Sequence, residues 1–337
     1  MHSEKKAPRS THAATKTRSR QYWPEDRNFR ILSLDGGGIK GLFTASFLAE
    51  MERRTRKPIS DQFDLITGTS TGGIIAIGLA AGVPAQKLAD LYAQKGHTIF
   101  PKWPFPLNLL RGFLGIALAK YDPKNLQREL IDVLGRNTKL KDVTARCRLC
   151  IQAFDALNGE VAVFKTPHHP EYHLDGDIAL FQAALATSAA PTYFPVTKHV
   201  NGYLMGDGGV WANNPVMVGV VEAISAYNVP NNSLRVLSIG CGEPTYKFGW
   251  WKRHLGGLIP WSKVIYTAMR LQSQNANGQT KHIVGVDNFM RIDVECQKAA
   301  AIDLDDCAQA KKLLPDEGKA SFKKYEKEIE ELLKSII

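Results

Sequence analysis

The chain has 337 residues, of which 44% are hydrophobic and 23% are charged, and its formal net charge is +10. This length and composition allow a sizeable buried core, arranged as two domains of about 150 residues or as one larger α/β domain. Every apolar run falls short of the roughly 20 residues of a membrane-spanning helix. We therefore expect no such helix in this sequence.

Half of the net positive charge lies in residues 1–20, where six Lys and Arg residues oppose a single acid, Glu4. The segment is rich in Ser, Thr and Ala and has no apolar run, so we predict a disordered basic tail over residues 1–27. It lacks the apolar stretch of about 7 to 15 residues that a secretory signal needs. Its composition is closer to that of a transit peptide, but Glu4 and the absence of an amphipathic pattern disfavour that alternative.

The sequence contains five cysteines, an odd number that forms no disulfide framework and favours a reducing cytosol. Cys147 and Cys150 have the C-x-x-C spacing that also occurs in zinc and redox sites. They begin a strand-like segment and have no second Cys or His pair nearby. We therefore interpret them as ordinary buried thiols and predict no metal site.

Ordered structure is predicted to begin with a β-rich run at residues 29–34, followed by a glycine-rich turn and a helix over residues 41–54. The same order of strand, turn and helix recurs at residues 63–67 and 72–81. This repetition indicates parallel βαβ organisation. Further strands are predicted at residues 148–154, 161–164 and 234–239, and further helices at residues 178–187 and 215–227.

The last part of the chain is predicted to form an amphipathic helix over residues 322–337. Apolar residues, Phe322 and Ile329 among them, recur at three- and four-residue spacing with Lys and Glu between them. We expect this helix to dock on the rest of the protein, with a dimer contact as the alternative. We assign residues 28–240 to one domain and residues 241–337 to a cap or helical extension packed on that domain.

The most informative motif is G-T-S-T-G at residues 68–72, which lies between a predicted strand and a predicted helix. Gly68 and Gly72 flank Ser70 in the G-x-S-x-G pattern of a nucleophile elbow. Small neighbours let the strand and helix pack closely around a serine with a strained backbone. The serine hydroxyl is then presented at a helix N-terminus, whose partial positive charge favours a developing oxyanion.

A glycine-rich loop, D-G-G-G-I-K-G, ends at Gly41 and matches G-x-G-x-x-G. In one interpretation its backbone amides approach the pyrophosphate of a dinucleotide. In the other, the same amides point at an acyl oxyanion. The second is favoured because the elbow lies about 30 residues on, where a dinucleotide fold would have an acid at about 20, and because Ser70 needs an oxyanion hole.

A third motif places Asp207 directly before Gly208 and Gly209. A carboxylate beside glycines has little steric cover, so it can approach a serine hydroxyl as a base. Asp-Gly is also among the commonest turn dipeptides, and in isolation Asp207 would be interpreted as a turn residue. The two other motifs favour the catalytic interpretation.

A G-x-S-x-G turn also occurs in α/β-hydrolases, whose triads follow the chain order Ser, acid, His. His254 and His282 follow Asp207 and are the candidates for that histidine. Neither lies in a recognisable motif, so both are interpreted as surface or core histidines. The triad stays open as the alternative.

Together the three motifs, in this order over about residues 29–240, resemble those of the patatin-like phospholipase family. The resemblance implies a three-layer α/β/α fold with a central, mostly parallel sheet. It also implies a Ser-Asp dyad without a histidine, with Ser70 as the nucleophile and Asp207 as the proton acceptor. The family needs no metal or organic cofactor, so none is expected.

The resemblance further implies that the amides of Gly37 and Gly38 hold the oxyanion, with Gly36 or Ile39 as a further donor. Lys40 stands where bacterial members often carry Arg. Its charge suits a phosphate group, although it lacks the bidentate fork of Arg.

Two segments, residues 100–120 and 246–261, combine aromatic side chains with Lys and Arg. Such mixtures are typical of surfaces that contact a membrane interface and anionic headgroups. The alternative is that the aromatic residues pack a cap over the core. We predict a cytoplasmic protein that acts peripherally on phospholipids of the inner membrane.

The start of the domain also resembles bacterial patatin-like effectors of antiphage signalling. That resemblance implies a phospholipase that is quiescent until a cyclic dinucleotide such as cyclic GMP-AMP binds. It implies a lipid substrate and no DNA or RNA partner, and it allows a homo-oligomer. The alternatives are a constitutively active lipid acyl hydrolase, a binding module that has lost turnover, and a dehydrogenase that would bind NAD.

Overall fold

The computed structural model describes residues 8–9, 19–101, 119–242 and 264–334. Within these ranges the strands are β1 (Phe29–Leu34), β2 (Leu65–Thr69), β3 (Arg148–Asp155), β4 (Glu160–Lys165), β5 (Thr197–Val200), β6 (Tyr203–Asp207), β7 (Leu234–Ile239) and β8 (Phe289–Ile292). The α-helices are α1 (Gly41–Thr55), α2 (Ile59–Gln62), α3 (Thr71–Ala80), α4 (Ala85–Ile99), α5 (Pro123–Leu134), α6 (Leu180–Thr187), α7 (Gly209–Ala212), α8 (Val216–Ala226), α9 (Val264–Val284), α10 (Gln297–Ala300) and α11 (Cys307–Leu333).

The strands form one sheet in the order β5-β6-β3-β2-β1-β7-β8. β2 and β6 both pair with one edge of β3, and β4 pairs with its opposite edge. In the part of the sheet formed by β3, β2, β1, β7 and β8, each pair of neighbouring strands is parallel. β4, β5 and β6 add antiparallel pairings at the β3 end. The predicted α/β class with a mostly parallel central sheet is confirmed.

Helices cover both faces of the sheet. Apolar residues of α1, α3, α4 and α11 form the core on one face, and those of α8 and α9 form the core on the other. β2 is buried along its whole length, as expected for a parallel strand that is covered on both faces. The architecture is therefore the predicted three-layer α/β/α arrangement.

The region after residue 240 is part of the sheet as well as a helical extension. β8 pairs in parallel with β7, which the sequence pattern did not predict because β8 has only four residues. α11 begins at Cys307, well before the predicted start at residue 322, and packs on α1. A Cβ atom on Gly318 would lie 2.6 Å from the carbonyl oxygen of Phe43, so the two helices approach closely. The C-terminal helix therefore starts earlier than expected, and its apolar residues lie in the core that α1 also lines.

Parts of the predicted disordered tail are packed against the domain. Arg9 forms a buried ion pair with Asp175 at 2.7 Å, and Gln21 forms a β-bridge with Tyr227. The prediction of disorder over residues 1–27 therefore does not hold for the residues of this segment that the structure describes. Composition does not reveal such contacts, because a single long side chain is enough to anchor a polar segment.

In the described ranges, none of the helices combines the length and apolarity that crossing a bilayer requires. Cys147, directly before β3, and Cys150, within it, are both buried and form no disulfide bond. Burial raises the pKa of the Cys147 thiol to about 12, so it is protonated at neutral pH.

Candidate active site

Ser70 lies on a sharp turn between β2 and α3, with φ 55° and ψ −123°. This backbone conformation is strained for a residue with a side chain. A Cβ atom on Gly72 would lie 2.2 Å from the carbonyl oxygen of Leu34, and one on Gly68 would lie 2.4 Å from that of Gly72. Both glycines are therefore required for the close approach of strand and helix, and the structure places residues 68–72 in the geometry of an elbow.

The register of β3 brings Ser70 and Asp207 together. Thr69, the last residue of β2, pairs with Gln152 of β3, and Asp207, the last residue of β6, pairs with Ala153. β2 and β6 run in opposite directions along the same edge of β3 and meet where they end. The serine that follows Thr69 consequently lies beside the carboxylate of Asp207.

The carboxylate of Asp207 is buried, with 3% of the residue exposed. Burial raises the pKa of Asp207 from 3.8 to about 7, while the neighbouring Ser70 side chain and the Gly209 amide oppose that rise. The amide of Gly209 donates to Oδ1 of Asp207 at 2.7 Å. A buried carboxylate with a pKa near neutrality beside a serine hydroxyl is suited to general-base chemistry.

Thr187 is a residue of the site that the sequence did not reveal. The Ser70 amide donates to Oγ1 of Thr187 at 2.9 Å, and that hydroxyl donates to the carbonyl oxygen of Gln152 at 2.5 Å. The chain of bonds fixes the elbow to β3. No motif marks Thr187, which is the last residue of α6.

The glycine loop follows β1, but two of its four predicted oxyanion donors are already engaged. The Gly36 amide donates to the carbonyl oxygen of Asn213 at 3.0 Å, and the Ile39 amide donates to that of Leu304 at 2.8 Å. The prediction that Gly36 or Ile39 adds a donor is therefore wrong for this conformation. Among the residues that the structure describes, the amides of Gly37 and Gly38 have no hydrogen-bond acceptor.

Lys40 does not present its charge to the site. The residue is 3% exposed, and its Nζ donates to the carbonyl oxygen of Gly242 and, at 3.5 Å, to that of Ala300. The side chain links the glycine loop to the C-terminal half of the chain. This contact corrects the expectation that Lys40 suits a phosphate group.

Asp35, directly before the glycine loop, forms a bidentate ion pair with Arg291 of β8. Nη1 of Arg291 lies 3.0 Å from Oδ1 of Asp35, and Nη2 lies 2.6 Å from Oδ2. Arg291 also donates to Ser238 Oγ and to the Asp293 carboxylate, each at 2.8 Å. Sequence patterns could not show this pair, because its members are 256 residues apart.

His282 is not placed to complete a triad. The side chain of Met269 on α9 approaches Gly209, where an added Cβ would lie 3.6 Å from its Cε atom. His282 lies 13 residues further along α9, about 20 Å away at the rise of an α-helix, and is exposed. The triad alternative with His282 is therefore wrong, while His254 lies outside the described residues.

The two aromatic and basic segments lie largely outside the described residues. At the edge of the first, Phe100 is buried and contacts the rings of Tyr121 and Phe194. Lys120 pairs with Asp305. These ends pack on the protein, and the membrane role of the intervening residues stays a prediction.

A family model described as patatin-like phospholipase matches residues 32–220, which include the glycine loop, the elbow and Asp207. The chain belongs to the patatin-like phospholipase family. This match confirms the resemblance stated from the three motifs, and it favours an acyl-oxyanion role for the loop over dinucleotide binding.

Three bacterial relatives carry the name "cGAMP-activated phospholipase". A Vibrio cholerae relative is 40% identical over 233 residues, covering 63% of each chain. An Escherichia coli relative is 35% identical over 300 residues, covering 82% of each chain. A Pseudomonas aeruginosa relative is 39% identical over 214 residues, covering 63% of this chain and 62% of the relative. The predicted similarity to effectors controlled by a cyclic dinucleotide is confirmed, although two of the matches span less than two thirds of the relative.

Proposed function

We propose that this patatin-like protein is a serine acyl hydrolase that cleaves ester bonds of membrane phospholipids and that a cGAMP-type cyclic dinucleotide activates it. The observation that carries the chemistry is the placement of Ser70, on a strained elbow, beside the buried carboxylate of Asp207, which the register of β2 and β6 on β3 brings about. An oxyanion hole is supported by the amides of Gly37 and Gly38, which have no acceptor within the described part of the chain.

In the acylation step, Ser70 Oγ attacks the carbonyl carbon of the ester while its proton passes to the Asp207 carboxylate. The carbonyl oxygen becomes an oxyanion that accepts hydrogen bonds from the Gly37 and Gly38 amides. Collapse of this tetrahedral intermediate breaks the bond to the alcohol oxygen, which takes the proton from Asp207. The acyl group is left on Ser70.

In the deacylation step, a water molecule gives a proton to Asp207 and attacks the acyl carbon. The same two amides hold the second oxyanion. Its collapse breaks the bond to Ser70 Oγ, which recovers the proton and releases the fatty acid. Each step uses residues of the chain and water, so the proposal includes no metal or organic cofactor.

Activation by a cyclic dinucleotide is proposed from the names of the Vibrio, Escherichia and Pseudomonas relatives. The net charge of +10 suits either an anionic activator or an anionic membrane surface. We place the activity on the cytoplasmic face of the inner membrane, where both nucleotide and phospholipid are available.

The test is release of fatty acid from phospholipid vesicles by the wild type and by Ser70→Ala, each with and without a panel of cyclic dinucleotides. Ser225→Ala serves as the matched control, because this serine lies on α8 and its hydroxyl bonds the Glu222 carbonyl of the same helix. We expect the wild type and Ser225→Ala to respond to one nucleotide and Ser70→Ala to stay inactive.

Two results would change the proposal in different ways. Full activity of the wild type without any nucleotide would remove the activation and leave a constitutive hydrolase. Retained hydrolysis by a folded Ser70→Ala protein would overturn the dyad itself.

A further inference from the structure

We propose that Arg291 is a positioning residue for the oxyanion loop, and that strand β8 thereby contributes to the rate of the chemical step. The inference rests on the proposed roles of Ser70 and of the Gly37 and Gly38 amides. Arg291 lies beyond the residues 32–220 that the family model matches, so no motif of the family brings it to attention.

The contact between Arg291 and the loop is short, bidentate and shielded from water. The Asp35 side chain is 1% exposed and the Arg291 side chain 15% exposed. Two parallel N-H to carboxylate bonds fix the orientation of both groups as well as their distance. Asp35 is also held by its amide, which donates to the carbonyl oxygen of Ile239 at 3.0 Å. The residue before the loop is therefore fixed through both its backbone and its side chain.

Arg291 is itself rigidly supported on the sheet. It pairs with Ser238 in the parallel register of β7 and β8 and bonds the hydroxyl of that residue. Its second carboxylate partner, Asp293, accepts the Gly242 amide at 2.7 Å. The guanidinium therefore links β7 and β8 to Asp35, the residue directly before the glycine loop.

The other end of the loop is held by the same half of the chain. The carbonyl oxygen of Leu304 accepts the Ile39 amide, and the Lys40 ammonium bonds the carbonyl oxygen of Gly242. Gly37 and Gly38 are the residues left between these attachments. Their amides are useful only if they lie about 2.7 to 3.1 Å from the developing oxyanion, so a small tilt of the loop weakens both bonds.

The reacting groups are held elsewhere, which makes the inference specific. Ser70 and Asp207 are placed by adjacent residues of β3, and within the described ranges their hydrogen bonds reach Thr187, Ile74, Ala189 and Gly209 and not β8. Loosening Arg291 should therefore affect the oxyanion and leave the dyad intact. Because the oxyanion exists only in the transition state and intermediate, the loss should appear in kcat and not in KM.

The test compares Arg291→Lys with the wild type on a soluble short-chain ester, with activator present if the wild type requires it. Lysine keeps the positive charge but loses the fork. Removing a whole oxyanion donor costs about 100- to 1000-fold in kcat. For a tilted loop we expect a fall of about 10- to 100-fold, with KM changed less than about twofold and little change in melting temperature.

Arg54→Lys is the matched control, because Arg54 makes a bidentate pair with Glu326 between α1 and α11 at 2.7 and 3.0 Å. It should keep the wild-type kcat. If Arg291→Lys does not fold, Asp293→Asn weakens the support of Arg291 while leaving the fork in place. That variant should lower kcat by about two- to fivefold, on the same reasoning that a smaller displacement weakens the donors less.

A folded Arg291→Lys with wild-type kcat would overturn the inference, as would equal falls in kcat for the Arg54 and Arg291 variants. Where Arg291→Lys does not fold, a wild-type kcat for Asp293→Asn has the same meaning. Ser70→Ala in the same assay separates the two proposals. Activity retained by Ser70→Ala would contradict the proposed function, whereas an inactive Ser70→Ala beside an unaffected Arg291→Lys would contradict only the positioning role.

Discussion

The dyad and the oxyanion loop are supported by two differently built regions of the molecule. Ser70 and Asp207 follow strands that pair with adjacent residues of β3, so sheet register alone brings them together. The loop depends on Arg291 and Leu304, which lie more than 250 residues further along the chain. The comparison suggests that sheet register positions the reacting groups, while contacts with the C-terminal half position the proposed electrostatic donors.

The largest expected effect is that of Asp207→Asn on the dyad side. Removing the base should lower kcat by about a thousandfold, since general-base catalysis contributes about 100- to 10,000-fold. The measurement is initial rate on a soluble ester, with the fold checked by melting. A folded variant within tenfold of the wild-type rate would contradict the assignment of Asp207 as the base.

The same substitution should stabilise the protein. Because burial raises the pKa of Asp207 to about 7, the folded state binds a proton more tightly than the unfolded one, and stability is lost as pH rises from about 4 to 7. At pH 8 the Asn variant should gain up to about 4 kcal/mol in free energy of unfolding. Asp177→Asn is the control of opposite sign, because Lys141 and Lys139 lower the pKa of that exposed carboxylate to about 2.

The pH dependence of the wild type gives the next largest effect. Asp207 accepts a proton only when ionised, so kcat/KM should fall by about tenfold per pH unit below about pH 7 and level off above it. A pH series on a soluble ester measures this. A rate that stays constant down to pH 5 would show that a different base acts.

The two regions also differ in what the sequence could predict. Ser70 and Asp207 lie in motifs whose glycines are required by close backbone contacts, so local patterns were enough to find them. Arg291 contacts the carboxylate of Asp35, which is distant in sequence, and Thr187 accepts the Ser70 amide. Neither contact can be predicted from hydrophobic periodicity or from composition. The engaged amides of Gly36 and Ile39 were missed for the same reason, since their acceptors are carbonyl oxygens, which every residue carries.

A smaller effect is expected at Thr187, whose hydroxyl links the Ser70 amide to the Gln152 carbonyl of β3. Thr187→Val keeps the shape but removes the acceptor of the Ser70 amide, and an unpaired buried amide costs about 1 to 3 kcal/mol. Urea unfolding measures the loss. Thr187→Ser keeps the hydroxyl and should retain the Ser70 bond and the catalytic rate. Equal rates for the Val and Ser variants would mean that the elbow does not need this bond.

The smallest effect tests whether any tie to the C-terminal half is enough to support catalysis. Arg54 and Glu326 join α1 to α11, but the Arg54 side chain is 49% exposed, so solvent screens the pair. A double-mutant cycle with Arg54→Ala and Glu326→Ala should give only a small coupling free energy. Both variants should keep the wild-type kcat, because neither residue contacts the segment from Asp35 to Gly41. If kcat instead fell by the amount expected for Arg291→Lys, the loop would depend on the general docking of the C-terminal half, and the distinction between the two regions would concern stability alone.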